Sequence, residues 1–395
     1  MRIGIIGGGI GGLTVALALR QFGFEPQVFE QAPELLEVGS AIIIWPNAMR
    51  VLHRLGLSEP VRHDGGVVEE ALWLNQDGRL INRFALPETD FPAIVLHRAR
   101  LQEELLRALP PDSIHLGHVF ESFAQSSGVV VARFTNGKPL EFDLLIGADG
   151  LHSRVRAQLL SDGPPTYRDY IAWRGVVDFT PKSLTRASAI EIYGNGKRFG
   201  IGPLGRDKVG WWVSVNKNSP NAEAHKTARE NDVSPRDELL QMFDGWCEPV
   251  PELIRATPLS SLIRNPVFDR KPVRKWGEGS VTLMGDAVHP LTPNLGQGGC
   301  LAIEDAAILA RCLSKYAAPT NSASSIAVAL RKFEMLRFAR TATVARCSRM
   351  YGIVGQWENP WAVRLRRTVL SSIPDCLTQR LLRWVIDYDA YDVSI

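Results

Sequence analysis

The stretch Arg2-Ile3-Gly4-Ile5-Ile6-Gly7-Gly8-Gly9-Ile10-Gly11-Gly12 decides the fold. Residues 2–7 read as a short apolar strand. Gly12 to Phe22 carries helical spacing through Leu13 and Leu17 and stops before Gly23, a natural helix end. Phe24 to Glu30 reads as a second strand. Strand, helix and strand within about thirty residues open a dinucleotide-binding fold. Each glycine of the GxGxxG pattern has a reason. Gly7 permits the tight turn, Gly9 lets the backbone approach a pyrophosphate, and Gly12 lets helix and strand pack closely. Gly11 lies in the same loop, and the unpaired N–H groups of the helix start favour phosphate. Glu30 is placed to accept the ribose hydroxyls of an adenosine, with Gln31 beside it. Met1-Arg2 and Ala16-Leu17-Ala18 imitate a secretory leader, but an apolar leader core does not hold glycines at this density.

The length of 395 residues suggests two or three structural units. Hydrophobic residues at 45% and charged ones at 22% are ordinary globular values and exclude disorder. A net charge of +3 gives no reason to expect nucleic acid as a partner. The cysteines, Cys247, Cys300, Cys312, Cys347 and Cys376, are odd in number and lack CxxC or metal-like spacing. No disulfide framework and no metal site are therefore expected, and a reducing, cytoplasmic setting fits best. No apolar run approaches the ~20 residues of a membrane span, so stable membrane insertion is not expected.

Helical patterns recur at Ala48 to Leu55 and Arg98 to Leu109, and Leu140 to Gly147 and Ser280 to Gly285 read as further strands. Between about 165 and 265 the texture changes to alternating segments such as Ala189 to Tyr193 and Lys208 to Asn216. From Gly299 onward the pattern is helical. The fold class is α/β with an α+β insertion. A Rossmann-like domain (1–165 and 266–320) carries an inserted antiparallel-sheet domain (166–265), and a helical segment (321–395) follows. Gly200-Ile201-Gly202-Pro203-Leu204-Gly205 also spells GxGxxG, but Arg206-Asp207-Lys208 and a strand follow it rather than a helix. It reads as strand-turn-strand, with no helix start to hold phosphate.

Two more motifs follow the first. Gly147-Ala148-Asp149-Gly150-Leu151-His152-Ser153-Arg154-Val155-Arg156 comes after a strand. Met284-Gly285-Asp286-Ala287-Val288-His289-Pro290-Leu291-Thr292-Pro293-Asn294-Leu295-Gly296-Gln297-Gly298-Gly299-Cys300 runs into Ile303-Glu304-Asp305. In this order the three motifs resemble the single-component flavin-dependent aromatic hydroxylases, the monooxygenases of the para-hydroxybenzoate hydroxylase type. The resemblance covers nearly the whole chain and is weakest over the inserted sheet and the last sixty or so residues. It implies FAD as cofactor, NADPH or NADH as co-substrate, and oxygen transfer from a flavin C4a-hydroperoxide to an aromatic or heteroaromatic small molecule. It implies that Asp286 meets the flavin ribityl chain and that Leu295, Gly296, Gln297, Gly298, Gly299 and Cys300 meet the flavin ring edge. Relatives often carry Asn in place of Cys300, which implies a main-chain contact. By the same resemblance Arg98 reaches the phosphate–ribityl region with help from Gln102, and the Val119 backbone clamps the adenosine. Asp149 meets the pyrophosphate side and the nicotinamide, and Arg156 supports its loop.

The inserted sheet is expected to floor a dry substrate pocket. Its candidates are Tyr170, Trp173, Arg174, Tyr193, Arg198, Trp211 and Trp212, with His289, Pro293 and Asn294 from the flavin-side loop. Arg198 matches the arginine that grips substrate in the similar bacterial urate hydroxylases, where it pairs with an acid at the position of Asn294. Arg174 stands where those enzymes have a neutral amide, and both departures argue against urate. Pro293 to Asp305 also looks like the corresponding stretch of zeaxanthin epoxidases, which adds alkene epoxidation. An oxygen-independent reductase of prenyl double bonds and a ligand-binding flavoprotein remain alternatives. The expected partner is a small, largely apolar molecule, with the oligomeric state open. Arg337, Arg340, Arg346, Arg349, Arg364, Arg366 and Arg367 are expected on a solvated helix face.

Overall fold

The structure is a computed structural model that describes every residue except 35–39, 136, 183, 185–186, 206, 218–233 and 319. Ile3–Ile6 is buried along its whole length, as a strand covered on both faces must be. It pairs in parallel with Pro26–Phe29 and with Leu144–Gly147. Val281–Leu283 and Ile114–His115 extend the sheet in parallel, and only the short Gly277–Glu278 runs antiparallel at its edge. The helices Ile10–Gln21 and Gly298–Tyr316 pack on this sheet with their apolar residues inward. The expected single strand from Leu140 to Gly147 is two. Asp143 turns aside to accept the Arg2 N–H at 2.7 Å, so Leu140–Phe142 pairs in a different, three-stranded sheet.

The inserted sheet has seven strands. In spatial order they are Ile263–Asp269, Thr166–Val177, Lys208–Asn216, Lys197–Gly205, Ser188–Tyr193, Glu70–Asn75 and Leu80–Ala85. Two expectations are corrected here. Residues 70–85 join this sheet although they lie inside the 1–165 segment assigned to the first domain. Glu70–Asn75 is half-buried throughout, so it lacks the alternation that would have marked it. The sheet is also mixed, because Ser188–Tyr193 runs parallel to Glu70–Asn75.

The pleat sends alternate side chains to opposite faces. Ile171, Trp173, Ile190, Ile192, Phe199, Ile201, Trp211 and Val213 fill the back face, under the helices Pro235–Met242 and Val250–Ala256. The front face packs near the three-stranded sheet of Ala41–Ile44, Ala93–His97 and Gly66–Val68. The second GxGxxG lies in Lys197–Gly205 and turns through Asp207, at φ +59°, into Lys208–Asn216. Arg206 lies outside the described residues. The glycines there serve packing, since a Cβ on Gly200 would fall 2.0 Å from the Trp212 ring.

The helices Ala323–Gly355, Pro360–Ser372 and Asp375–Ile386 complete the chain. Arg337, Arg340 and Arg366 are buried, against the expectation of a solvated face, while Arg346, Arg364 and Arg367 are exposed and Arg349 pairs with Asp269.

Candidate functional site

The first motif is built as its glycines require. Gly7 has φ +109°, and a Cβ on Gly12 would lie 1.9 Å from the Gly7 carbonyl oxygen. A Cβ on Gly9 would meet nothing within 4 Å, so this side of the loop is open to a ligand backbone. The helix Ile10–Gln21 has no side-chain cap, which leaves its first N–H groups for a phosphate. The Glu30 carboxylate is held by N–H groups of Gly8 (2.7 Å) and Ala32 (2.9 Å). Gln102 Nε2 donates to the Gly8 carbonyl at 2.9 Å, so its reach goes to the glycine loop itself. Gln31 is exposed, and the Val119 carbonyl accepts from Thr135, which leaves the amide side of that residue for an adenosine.

In the second motif Asp149 Oδ2 accepts the N–H groups of Arg154 (2.8 Å) and Val155 (3.2 Å), capping the helix Arg154–Leu160. Its Oδ1 is buried without a protein partner, and burial raises the carboxyl pKa. Arg156 grips Asp162 and donates to the carbonyls of Ala287 (3.2 Å) and Val288 (2.7 Å). It therefore ties the second motif to the third.

Asp286 is the middle residue of the short 3-10 turn Gly285–Ala287, with its side chain exposed. Enough protein surrounds it that desolvation raises its pKa, and the charges of His289 and Arg98 offset part of this. Pro293–Leu295 forms another turn and Gly296 follows in a left-handed conformation, φ +62°, where a Cβ would meet Ile43 at 2.4 Å. Gln297, Gly298 and Gly299 then start the long helix Gly298–Tyr316, again with no side-chain cap. Cys300 is fully buried. Its Sγ lies 3.5 Å from the Trp45 N–H and 3.6 Å from the Ile43 carbonyl, and burial pushes the thiol up to about 12. A neutral thiol turned into the core is no nucleophile toward a flavin.

Beneath this loop lies a buried charge cluster whose roles are not readable in the sequence motifs. His289 Nε2 meets Asp305 Oδ2 at 2.6 Å, and the same oxygen accepts the Gly285 N–H at 2.9 Å. Arg337 bridges Glu304 and Asp305, each at 2.7 Å, and Arg340 reaches Glu304 at 2.9 Å. Asn47 Nδ2 joins Glu304 Oε1 (2.6 Å) to Gln297 Oε1 (3.0 Å). Burial works against the Asp305 carboxylate, but His289 and Arg337 outweigh it and hold the group at about 2. His289, expected among the catalytic residues, is thus turned inward beside Trp276 as a support of the loop. Glu304 and Asp305 stand inside the third motif and could have been found there. Their partners Arg337 and Arg340 come from a distant helix.

On the inserted sheet the candidates divide. Trp211 is corrected: it points to the back face, stacks on Phe199 and donates to Thr257 at 2.9 Å, as the pleat dictates for its register. Trp173 is on the back face too, whereas Trp212 is partly exposed on the front. Tyr170, Arg174, Tyr193 and Arg198 share the front face. Tyr193 is sealed by Tyr351 at 2.5 Å and by Glu191 at 3.1 Å.

Arg198 lies beside Asn294, the position its counterpart meets in the urate hydroxylases, and all three of its nitrogens have protein partners. Nε donates to Gln356 (3.1 Å), Nη1 to Glu191 (2.9 Å) and Nη2 to Asn294. Only 4% of it is exposed. Desolvation lowers its pKa, but Glu191 together with Tyr193, Tyr351 and Tyr170 more than offsets this. Asn294 is further bound by Tyr170 (3.2 Å) and by the Ser348 carbonyl (2.9 Å), and Pro293 is exposed beside it. Sequence reasoning missed Glu191, Tyr351 and Gln356, since no motif marks them. Arg174 differs. No hydrogen bond or ion pair to its guanidinium is found among the described residues, and both burial and the neighbouring Arg98 lower its pKa.

The FAD binding domain family matches residues 1–327. The chain belongs to that family. It is 39% identical to the aurachin C monooxygenase/isomerase of Stigmatella aurantiaca, over 96% of this chain and 97% of that one. It is 34% identical to the chloroplastic zeaxanthin epoxidase of Oryza sativa subsp. japonica over 91% of this chain, which spans 56% of that protein. It is 31% identical to the FAD-dependent urate hydroxylase of Klebsiella pneumoniae, over 93% and 94% of the two chains. The solved structure of Klebsiella pneumoniae HpxO with FAD and uric acid superposes with a TM-score of 0.85 at 27% identity, covering 98% and 96%. This family member is an FAD-dependent monooxygenase, with FAD as cofactor and NAD(P)H as co-substrate. Its residues fit that cofactor. The Gly9 side of the loop is open, two helix starts lack side-chain caps, and the buried Asp149 Oδ1 and Gln297 Nε2 have no protein partner.

Proposed function

We propose that this monooxygenase hydroxylates a small aromatic or heteroaromatic molecule that is largely apolar and carries one ring oxygen, a hydroxyl or a carbonyl. The observation that carries this reading is the pairing of Arg198 with Glu191 at 2.9 Å. A buried cation already matched to a partly buried acid has no charge left for a second anion. Arg174 supplies an unmatched charged donor on that face among the described residues, and its fork can hold one ring oxygen. A polyanionic ring would need a second cation there.

The bound flavin would take hydride from NAD(P)H and activate dioxygen. Gly7, Gly9, Gly11, Gly12, Glu30 and Gln31 would hold the dinucleotide at its adenosine side, with Arg98, Val119, Asp149 and Asp286 along its length. The loop Leu295–Cys300 would present main-chain donors to the ring where negative charge gathers on reduction. The chain's own contribution is to orient the ring against that loop and exclude water from it. Alkene epoxidation is the second reading, favoured by the 34% identity to zeaxanthin epoxidase.

The test is NAD(P)H oxidation by the purified enzyme across phenols, quinolones and polyenes, with peroxide measured alongside and product formed under oxygen-18 gas. One labelled oxygen in a neutral ring supports the reading, and a labelled epoxide selects the second. Product formed without oxygen would make the enzyme a double-bond reductase.

A further inference from the structure

The helices Pro360–Ser372 and Asp375–Ile386 expose an apolar face that nothing in the reaction uses. Trp361 is 77% exposed, and Leu365 and Val369 follow it at four-residue steps along one side of the first helix. Leu377, Leu381 and Trp384 form the matching side of the second, and Leu381 is 60% exposed. Exposed single leucines are ordinary, but six large apolar side chains on two consecutive helices are not.

The opposite sides of both helices are fixed to the protein. Arg366 is buried and donates to the carbonyls of Gly355 (2.7 Å) and Gly194 (2.8 Å). Asn82 holds the carbonyls of Leu370 (2.9 Å) and Ile373 (3.1 Å), and Gln379 reaches the Ala85 carbonyl at 3.4 Å. Both helices therefore run along Leu80–Ala85, the edge strand of the seven-stranded sheet, with their apolar sides turned away from it. The platform is anchored, not loose.

Its charge says what covers it. Residues 360–386 hold Arg364, Arg366, Arg367, Arg380 and Arg383 against Asp375, five positive charges to one negative, or +4. The whole chain is only +3, so the rest of it is −1. Arg364, Arg367, Arg380 and Arg383 are all exposed. A second copy stacked on this face would set four exposed arginines against four. An anionic lipid surface would instead relieve that charge while the apolar side chains enter the headgroup boundary, a mode suited to tryptophan and arginine on amphipathic helices. Among the described residues no helix is long and apolar enough to cross a membrane, so the contact lies in the plane of the surface.

We infer that the helix pair Pro360–Ser372 and Asp375–Ile386 docks the enzyme peripherally on anionic lipid bilayers. This surface is independent of the assignment of the substrate. The experiment is co-sedimentation of the full FAD-loaded chain with phosphatidylcholine vesicles, with and without phosphatidylglycerol. The wild type is expected to pellet with the anionic vesicles and to be released by salt. Removing charge with Arg364→Gln, Arg367→Gln and Arg380→Gln together should weaken binding on the order of a hundredfold. Removing the apolar face with Trp361→Ser, Leu365→Ser, Leu381→Ser and Trp384→Ser should abolish pelleting, with unchanged flavin content showing an intact fold. Failure of the wild type to pellet, or pelleting of both variants equal to that of the wild type, would overturn the inference. So would a wild-type dimer that the serine variant converts to a monomer, since a second copy would then own the face.

Discussion

Arg198 and Arg174 stand two strands apart on the same face of the same sheet, and their surroundings are opposite. Arg198 has three partners, one of them a carboxylate, while Arg174 has none among the described residues and another arginine nearby. A buried cation with its acid is scaffold. A half-buried cation without one is available to a ligand. The cluster under the third motif follows the first pattern, with Arg337 and Arg340 matched by Glu304 and Asp305.

Breaking the matched pairs should therefore cost most. Arg337→Met leaves two buried carboxylates facing one cation fewer, at about 3–5 kcal/mol of stability. Thermal unfolding and retained flavin would report it, and an unaltered midpoint would deny the cluster its supporting role. Arg198→Ala should lose stability in the same range, since it strands Glu191, instead of acting mainly on substrate affinity. Arg174→Ala should leave the fold and the flavin in place, raise KM about tenfold or more and release peroxide, one lost charged hydrogen bond being worth about 1.5–3 kcal/mol. Equal substrate affinity and coupling in that variant would remove Arg174 from the pocket.

A smaller effect comes from pH. Asp305 is held at about 2, below its ordinary 3.8. Its stabilisation, about 2 kcal/mol, is complete above the unfolded value near 4 and is lost as pH falls through about 2. The stability gap between wild type and Asp305→Asn should thus hold from pH 7 to 4 and narrow below it. A gap that closed above pH 5 would contradict that ion pair.

The cofactor half was legible because its glycines mark places where only backbone fits, such as Gly7 and Gly12, whose contacts admit no side chain. The second GxGxxG was separable from the first because a strand follows it. Little of the substrate half was legible. Whether Trp211 or Trp212 faces the pocket turns on a one-residue register that the adjacent pair leaves open. Of the partners of Arg198, Asn294 lies in the third motif, but Glu191 on the adjacent strand and Gln356 just past a distant helix are announced by nothing local. The edge strand 80–85 escaped because its neighbour at 70–75 shows no alternation.

On the proposed function, Glu191 cancels Arg198 and so sets the pocket for a ring with one oxygen. Binding of a matched pair, a neutral phenol and its carboxylated analogue, can be read from the flavin absorbance of wild type and Glu191→Gln. The wild type should favour the neutral ring, and Glu191→Gln should gain at least about tenfold for the carboxylate, the worth of one freed charged hydrogen bond. A wild type that prefers the carboxylate, or a ratio that the substitution leaves unmoved, would contradict the account.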